Sequence, residues 1–341
     1  MSLRILVTGA AGLIGGEVAG RLAARGHRVI ALVHRNSDVR DNDGRPVSLR
    51  AALRGDVSRP RFGWNAAEHA RVAAGLDLVV HCAAATRFDL SLDQHRAVNV
   101  GGTAQALALA QAAGCPLLHV STAYVCGPRD GAVNEDDPLP ARGFANSYEA
   151  SKAEAEALVA ASGVPHAIAR PSIVVGAHDT GTIRCFDTIY AAFRLIAAGR
   201  IRHMPAHPHA TLDFVPIDHV AAGLVLLAER LTAGEGGRFH LVSGRPVPVA
   251  EFAAAIGAYP RFSAPALVDP ATFDPTTLPP AERRLHGRVA GLYASYFQRS
   301  PRFGDARARA ATGLACPPTD RAFLHRLIDH AVAAGFLPGM P

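Results

Sequence analysis

The sequence predicts an α/β fold, a Rossmann-like doubly wound parallel sheet with a smaller C-terminal region, and three observations predict it. Short apolar runs rich in Val, Ile and Leu recur through the first half of the chain. Longer segments with helical spacing lie between them, several closed by a glycine. A glycine triplet, Gly9, Gly12 and Gly15, stands where the first run gives way to the first of these segments. Strands alternating with helices make βαβ units, and such units build parallel sheets.

In chain order, residues 4–8 form the first strand and residues 16–25 the first helix, stopped by Gly26. Residues 29–33 and 76–82 are the next strong strands, and a strand between them would end near Asp56. Residues 102–113 form a helix capped by Gly114, and residues 116–120 a strand running into Ser121-Thr122. A helix at 147–161 is closed by Gly163, and a strand at 166–170 is stopped by Pro171. After Gly176 the alternation weakens. Helices are expected at 186–198 and 218–231, and strands near Phe214 and at 238–242. A proline-rich stretch at 259–280 precedes helical patches rich in arginine.

Composition narrows the function classes. With 341 residues, 49% hydrophobic and 19% charged, the chain is of the globular kind and has enough apolar residues for a sizeable core. No apolar run reaches the ~18 residues of a membrane span, and the chain enters its first strand too early for a signal peptide. A cytoplasmic protein is expected. The five cysteines are scattered and lack C-x-x-C spacing, so neither a disulfide framework nor a structural zinc is expected. His203, His207, His209 and His219 are spaced across prolines, and no metal is expected there. The formal charge of +6 comes from residues spread along the whole chain. That pattern suits a phosphorylated cofactor or substrate better than nucleic acid.

The glycine triplet has the form Thr8-Gly9-x-x-Gly12-Leu13-Ile14-Gly15. Glycines between a first strand and a first helix let a pyrophosphate approach the backbone N–H groups of the helix N-terminus. At the end of the second strand an acid would take the ribose hydroxyls of NAD, whereas a base would pair with the 2′-phosphate of NADP. The chain has His34-Arg35 there and no acid before Asp38, so Arg35 points to NADP(H). Asp56 is expected either near the adenine amino group or as a plain turn aspartate.

Tyr148-Glu-Ala-Ser-Lys152 puts a phenol and an ammonium one helical turn apart on one face. A neighbouring cation lowers a phenol from its usual pKa of about 10 toward the working range, and the same ammonium can hold the nicotinamide ribose. Lys152 is the single lysine in the chain, against 34 arginines. A guanidinium does not replace a compact ammonium beside a titrating group. Ser121-Thr122 ends a parallel strand, at the edge where α/β sheets bind ligands. A Thr122 hydroxyl there can hold a substrate oxygen while Tyr148 handles its proton.

These pieces resemble the extended short-chain dehydrogenases/reductases. The likeness is carried by the glycine turn, Gly55-Asp56-Val57, His81-Cys-Ala-Ala84, Asn99-Val-Gly-Gly-Thr103, Ser121-Thr122, Tyr148-x-x-x-Lys152 and Arg170-Pro171. It implies Thr122, Tyr148 and Lys152 as the catalytic set. Around the cofactor it implies Thr8, Gly9, Gly12, Leu13, Ile14, Gly15, Arg35, Asp56, Val57, Ala83, Ala84, Asn99, Tyr148, Lys152, Pro171 and Ile173. Pro171 and Ile173 would border the nicotinamide, and Asn99 would be a buried helper of the fold. The implied organisation is an NADP-binding Rossmann domain at 1–176, to which segments at about 213–243 return. Residues 177–341 would mainly bind substrate.

Within that group the chain is most similar to the fatty acyl and thioester reductases, the male-sterility type. The carriers are Thr86-Arg-Phe-Asp89, Val120-Ser-Thr-Ala-Tyr124-Val, Asn134-Glu135, Arg170-Pro-Ser-Ile173-Val, Thr180-Gly181 and Phe214-Val-Pro-Ile-Asp218-His-Val220. The resemblance implies NADPH-dependent hydride transfer to a carbonyl or to an acyl thioester on coenzyme A or a carrier protein. The alternatives are a nucleotide-sugar epimerase or dehydratase with NAD(P), and a ketone or aldehyde reductase. The expected partners are a small-molecule or acyl-thioester substrate and an acyl carrier protein, with a homodimer allowed and neither nucleic acid nor membrane involved. Arginines 283, 284, 288, 299, 302, 307 and 309 are expected on a solvated helical face, the other reading being a surface that greets a phosphopantetheine or an acidic carrier. Tyr293, Tyr296 and Phe297 are expected in the core or lining a substrate pocket.

Overall fold

The computed structural model describes residues 2–187 and 189–338. Its centre is a seven-stranded sheet: β1 (Arg4–Thr8), β2 (Arg28–Val33), β3 (Ala51–Arg54), β4 (Leu78–His81), β5 (Leu117–Val120), β6 (His166–Pro171) and β7 (Gly237–Leu241). The order is β7-β6-β5-β4-β1-β2-β3, and every neighbouring pair is parallel. Chain order reverses between β4 and β1, which opens a crevice at the C-terminal edge of the sheet there.

Alternation along each strand feeds two cores. Ile5 and Val7 join Val29, Ala31, Leu78 and Val80 on one face, and Leu6 joins Ile30, Leu32 and Val79 on the other. The first face is covered by α1 (Leu13–Ala24), the second by α2 (Ala66–Ala73), α3 (Gly101–Ala113) and α4 (Ser147–Ala161). The later helix α5 (Ile217–Thr232) packs beside α1, through Val220, Leu224 and Leu227. Ile5, Leu6 and Val7 are wholly out of solvent, and burial of each side chain contributes about 1.5–3 kcal/mol. A parallel sheet covered on both faces needs such continuous apolar strands.

Expectation and structure differ at instructive places. Helix α1 begins at Leu13 rather than at 16, because its first turn is already built from the glycines. Residues 92–100, read as no element, form a short helix Leu92–His95 under a Ser91–Gln94 capping box, then a π turn at Arg96–Val100 that leads into α3. The wider π turn breaks the 3.6-residue apolar rhythm, which is why the periodicity hides it. Of the helix expected at 186–198, Ile189–Ala197 is helical, residues 186, 187 and 198 are not, and Thr188 lies outside the described residues. Helix α4 forms with the expected bounds. Asn146 caps it by accepting from the Glu149 N–H, its interior is rich in alanine, and Gly163, with φ of +70°, turns the chain away.

The C-terminal half carries a third core of Phe193, Ile196, Phe214, Phe252, Phe323 and Ile328, among others. It is stitched to the sheet side by short parallel pairs, Phe214–Pro216 with Ile173–Val175 and Pro301–Phe303 with Gly131–Val133. The second pair brings Arg299 back to the first turn of α4.

Candidate active site

The loops leaving β1, β4, β5 and β6 meet at the crevice and line one cavity of about 350 Å³. One end is the turn after β1. Gly9 sits at φ +65°, and a Cβ on it would lie 2.7 Å from the Ala83 backbone. A Cβ on Gly15 would lie 2.3 Å from the Gly9 carbonyl oxygen. Only glycine permits this close approach of β1, β4 and α1. Gly12 caps α1 without any side-chain acceptor, so the first N–H groups of the helix meet the cavity uncovered. A cradle emptied of side chains, at the positive end of a helix, fits a pyrophosphate.

At the other end Thr122 and Tyr148 share the wall with Phe88, Tyr124, Tyr293 and Tyr296. Thr122 follows β5 with an extended backbone and its hydroxyl accepts from the Tyr124 N–H at 3.3 Å. Tyr148 is half-buried on the first turn of α4, its ring 5.8 Å from that of Phe88. Its packed surroundings push the phenol above its ordinary pKa, the Glu149 carboxylate adds to the rise, and a hydrogen bond with Thr122 opposes it. Lys152 is almost fully buried. Its Nζ donates to the Val120 carbonyl oxygen at 2.7 Å and to His119 Nε2 at 3.4 Å. Burial brings the ammonium down to about 8, while Glu156 and the Cys82 thiol favour its charged form.

This corrects one expectation. Lys152 was to pull the Tyr148 phenol down, but in the structure burial dominates at Tyr148 and the phenol is pushed up. The ammonium is turned toward the end of β5 instead.

The cavity wall gathers Gly9, Gly12, Leu13, Ile14, Gly15, Ala84, Thr122, Tyr148, Lys152, Pro171 and Ile173. Other residues from the sequence reading stand elsewhere. The Thr8 hydroxyl is buried behind the turn, 2.8 Å from His81 Nδ1, and accepts from the Ala83 N–H at 3.2 Å. Asn99 lies in the π turn, where its side chain accepts from the Ala85 N–H at 2.7 Å and donates to Ser151 Oγ at 2.9 Å. It ties the loop after β4 to α4. Arg35 is exposed just past β2 and has no hydrogen bond or ion pair among the described residues. Asp56 Oδ1 accepts from the Ser58 N–H and hydroxyl at 2.9 and 2.6 Å, and its other oxygen is 3.6 Å from His34 Nε2. Val57 packs against Gly102 of α3.

Several residues in the wall or packed behind it carry no local signal in the sequence. Ser172 donates to the buried Asp213 carboxylate at 2.5 Å. Arg184 reaches across to donate to the Gly12 carbonyl oxygen at 2.9 Å, and Asn42 anchors its segment. Phe88, Tyr293 and Tyr296 form one cluster, with Phe88 stacked on Tyr296 at 5.7 Å. Arg299, expected on a solvated face, is buried. It pairs with Glu149 at 2.5 Å and lies 4.7 and 4.6 Å from the ring centroids of Tyr124 and Tyr296. The density of tyrosines at 293–296 marked a pocket or core; nothing in it named Phe88 as the partner.

A doubly wound sheet, a bare glycine turn and a Thr-Tyr-Lys set along one cavity define an NAD(P)-dependent oxidoreductase. Residues 7–224 match the NAD-binding family described as "Male sterility protein", and the chain belongs to that family. It is 32% identical over 265 residues to the 4-hydroxy-2-methyl-3-oxo-4-farnesyl-3,4-dihydroquinoline-1-oxide ketoreductase of Stigmatella aurantiaca, covering 73% of this chain and 71% of that one. It is 30% identical over 332 residues to the 3-diazoavenalumate denitrifying reductase of a Streptomyces species, covering 93% and 96%. Other relatives are much longer, and the chain spans 18% of the aldehyde reductase lnaA of Aspergillus flavus. In fold it is similar to the terminal R domain of the myxalamid PKS-NRPS pathway, with a TM-score of 0.84 at 24% identity over 100% of this chain and 93% of that one. Among the described residues no helix is long and apolar enough to cross a membrane.

Proposed function

We propose that the protein uses NADPH to reduce the carbonyl carbon of a ketone, an aldehyde or an acyl thioester. The observation that carries this reading is the convergence of Thr122 and Tyr148 on the cavity whose far end is the glycine turn. When bound, NADPH supplies the hydride. The open N–H groups around Gly12, Leu13 and Ile14 suit its pyrophosphate, and the unpaired Arg35 suits its 2′-phosphate. Asp56 and Val57 lie at the neighbouring strand end, toward the adenine. Ala84, Pro171 and Ile173 border the nicotinamide, and Lys152 holds its ribose.

At the reacting end, the Thr122 and Tyr148 hydroxyls donate to the carbonyl oxygen and stabilise its growing negative charge. Tyr148 then gives up its proton to that oxygen. Burial keeps the phenol protonated through neutral pH, so it rests in the acid form that reduction requires. With an acyl thioester the hemithioacetal so formed breaks its C–S bond, its hydroxyl proton passing to sulfur, and the first products are an aldehyde and a thiol. An acyl carrier protein or coenzyme A would present such a thioester at the cavity mouth. Residues 1–176 with 213–243 serve the cofactor in this reading, and residues 177–341 supply most of the substrate wall. Lys152 is the sole cationic side chain lining the cavity among the described residues. A nucleotide-sugar diphosphate would need more positive charge there, so the epimerase alternative is the weaker one.

The test is NADPH oxidation with matched ketones, aldehydes, acyl thioesters and nucleotide sugars, for the wild type and Tyr148→Phe. Turnover is expected with a carbonyl compound and not with the sugars. The variant should lose about 10²–10⁴-fold in kcat while NADPH binding is unchanged. Tight NADPH binding without turnover of any carbonyl compound would overturn the proposal.

A further inference from the structure

The groups that hold Lys152 come from the sheet beneath it. Two of its three N–H donors are engaged by β5, by the Val120 carbonyl oxygen and by His119 Nε2. His119 is wholly buried and its ring stacks on His81 of β4, with centroids 5.5 Å apart. His81 Nδ1 stands 2.8 Å from the Thr8 hydroxyl at the entrance of the glycine turn. A file of polar side chains thus crosses the interior from Lys152 to the cofactor cradle. Two atoms along it, His119 Nδ1 and His81 Nε2, are buried without a hydrogen-bond partner among the described residues. Burying a polar atom without a partner is destabilising. An apolar side chain in either place would avoid that cost, so packing alone gives no reason for two histidines here.

We propose that His119 is a positioning residue for Lys152: as a neutral acceptor it holds the ammonium on β5 and leaves its third N–H for the cavity. The role rests on the reading of Lys152 as part of the reduction machinery. To accept from an ammonium, His119 must carry its own proton on Nδ1 and leave Nε2 bare. Burial and the adjacent Lys152 charge hold both histidines below the usual imidazole range, His81 at about 3, so His119 stays an acceptor at working pH. The other groups facing Lys152 are His81 of β4, Cys82 just after it, and Glu156 from its own helix. Glu156 is engaged by Arg170 at 2.6 Å, which takes up much of its charge. The Val120 carbonyl and His119 are therefore the acceptors through which the fold supports this ammonium.

Because Lys152 is the only lysine, lysine labelled with ¹³C at Cε gives one NMR signal whose titration reads this ammonium directly, with no substrate present. The ammonium exists below its midpoint and is lost above it. The wild-type midpoint is expected near 8. In His119→Phe it should fall by about one pH unit, a tenfold weaker hold on the proton. In His119→Gln, whose amide oxygen accepts again, it should return toward the wild-type value. A midpoint in His119→Phe equal to that of the wild type would overturn the proposal. Should neither variant fold, ¹⁵N-histidine spectra of the wild type decide: the Nδ1–H tautomer is required, and an Nε2–H tautomer refutes it. With a carbonyl substrate, the alkaline limb of kcat/KM should move in His119→Phe by the same amount as the lysine midpoint. If no carbonyl is turned over, the reduction reading fails while the lysine titration still judges the role of His119.

Discussion

The two ends of the cavity are made of opposite materials. The cofactor end is backbone: three glycines within seven residues, an uncapped helix N-terminus and small side chains that leave room. The reacting end is side chain: Phe88, Tyr124, Tyr148, Tyr293 and Tyr296, drawn from four separate stretches of the chain. Backbone geometry is set by neighbours in sequence, so the first end is compact in the chain. The second end exists only after the C-terminal half has folded back, and the buried Arg299–Glu149 pair is its fastening.

Substitutions at the two ends should therefore fail in different ways. Arg299→Met strands the Glu149 carboxylate in the interior, and should cost about 3–5 kcal/mol in urea unfolding. Combining it with Glu149→Gln should recover most of that loss; an additive double variant would show that the pair is not the fastening. Arg35→Ser should weaken NADPH by about 1.5–3 kcal/mol, the contribution of a hydrogen bond to a charged group, and leave NADH binding alone. Isothermal titration with both cofactors measures the contrast. Gly15→Ala forces a methyl group against the Gly9 carbonyl, and NADPH affinity should drop about tenfold, or ~1.4 kcal/mol. Its near-UV circular dichroism, which reports the aromatic end, should match the wild type. Phe88→Leu removes the ring packed on Tyr148, Tyr293 and Tyr296, an effect of about 0.5–1.5 kcal/mol per aromatic pair. It should raise KM for an apolar carbonyl substrate with no change in NADPH affinity.

Much of the sheet was legible in the chain, because a buried parallel strand has to be a short apolar run and a helix has to carry its stop signal. Ser147–Ala161 shows this well, with its Asn146 cap, alanine interior and Gly163 exit all local. The π turn around Asn99 was not legible, since its extra residue per turn is invisible to a 3.6-residue rhythm. At the site, the glycine spacing and the four-residue step from Tyr148 to Lys152 are local patterns, and a single sequence shows them. The Arg299–Glu149 contact spans 150 positions and the Lys152–His119 contact spans 33. No periodicity links such pairs.

By itself, then, the sequence determined the alternation of strands and helices, the bare turn after β1, and a phenol and an ammonium on one helical face. Tertiary structure decided what those groups do to one another. Tyr148 is pushed up rather than pulled down, and Lys152 leans on Val120 and His119 rather than on the phenol. The physical reason is that conformation follows from near neighbours along the chain, whereas desolvation and charge are sums over every segment packed around a group.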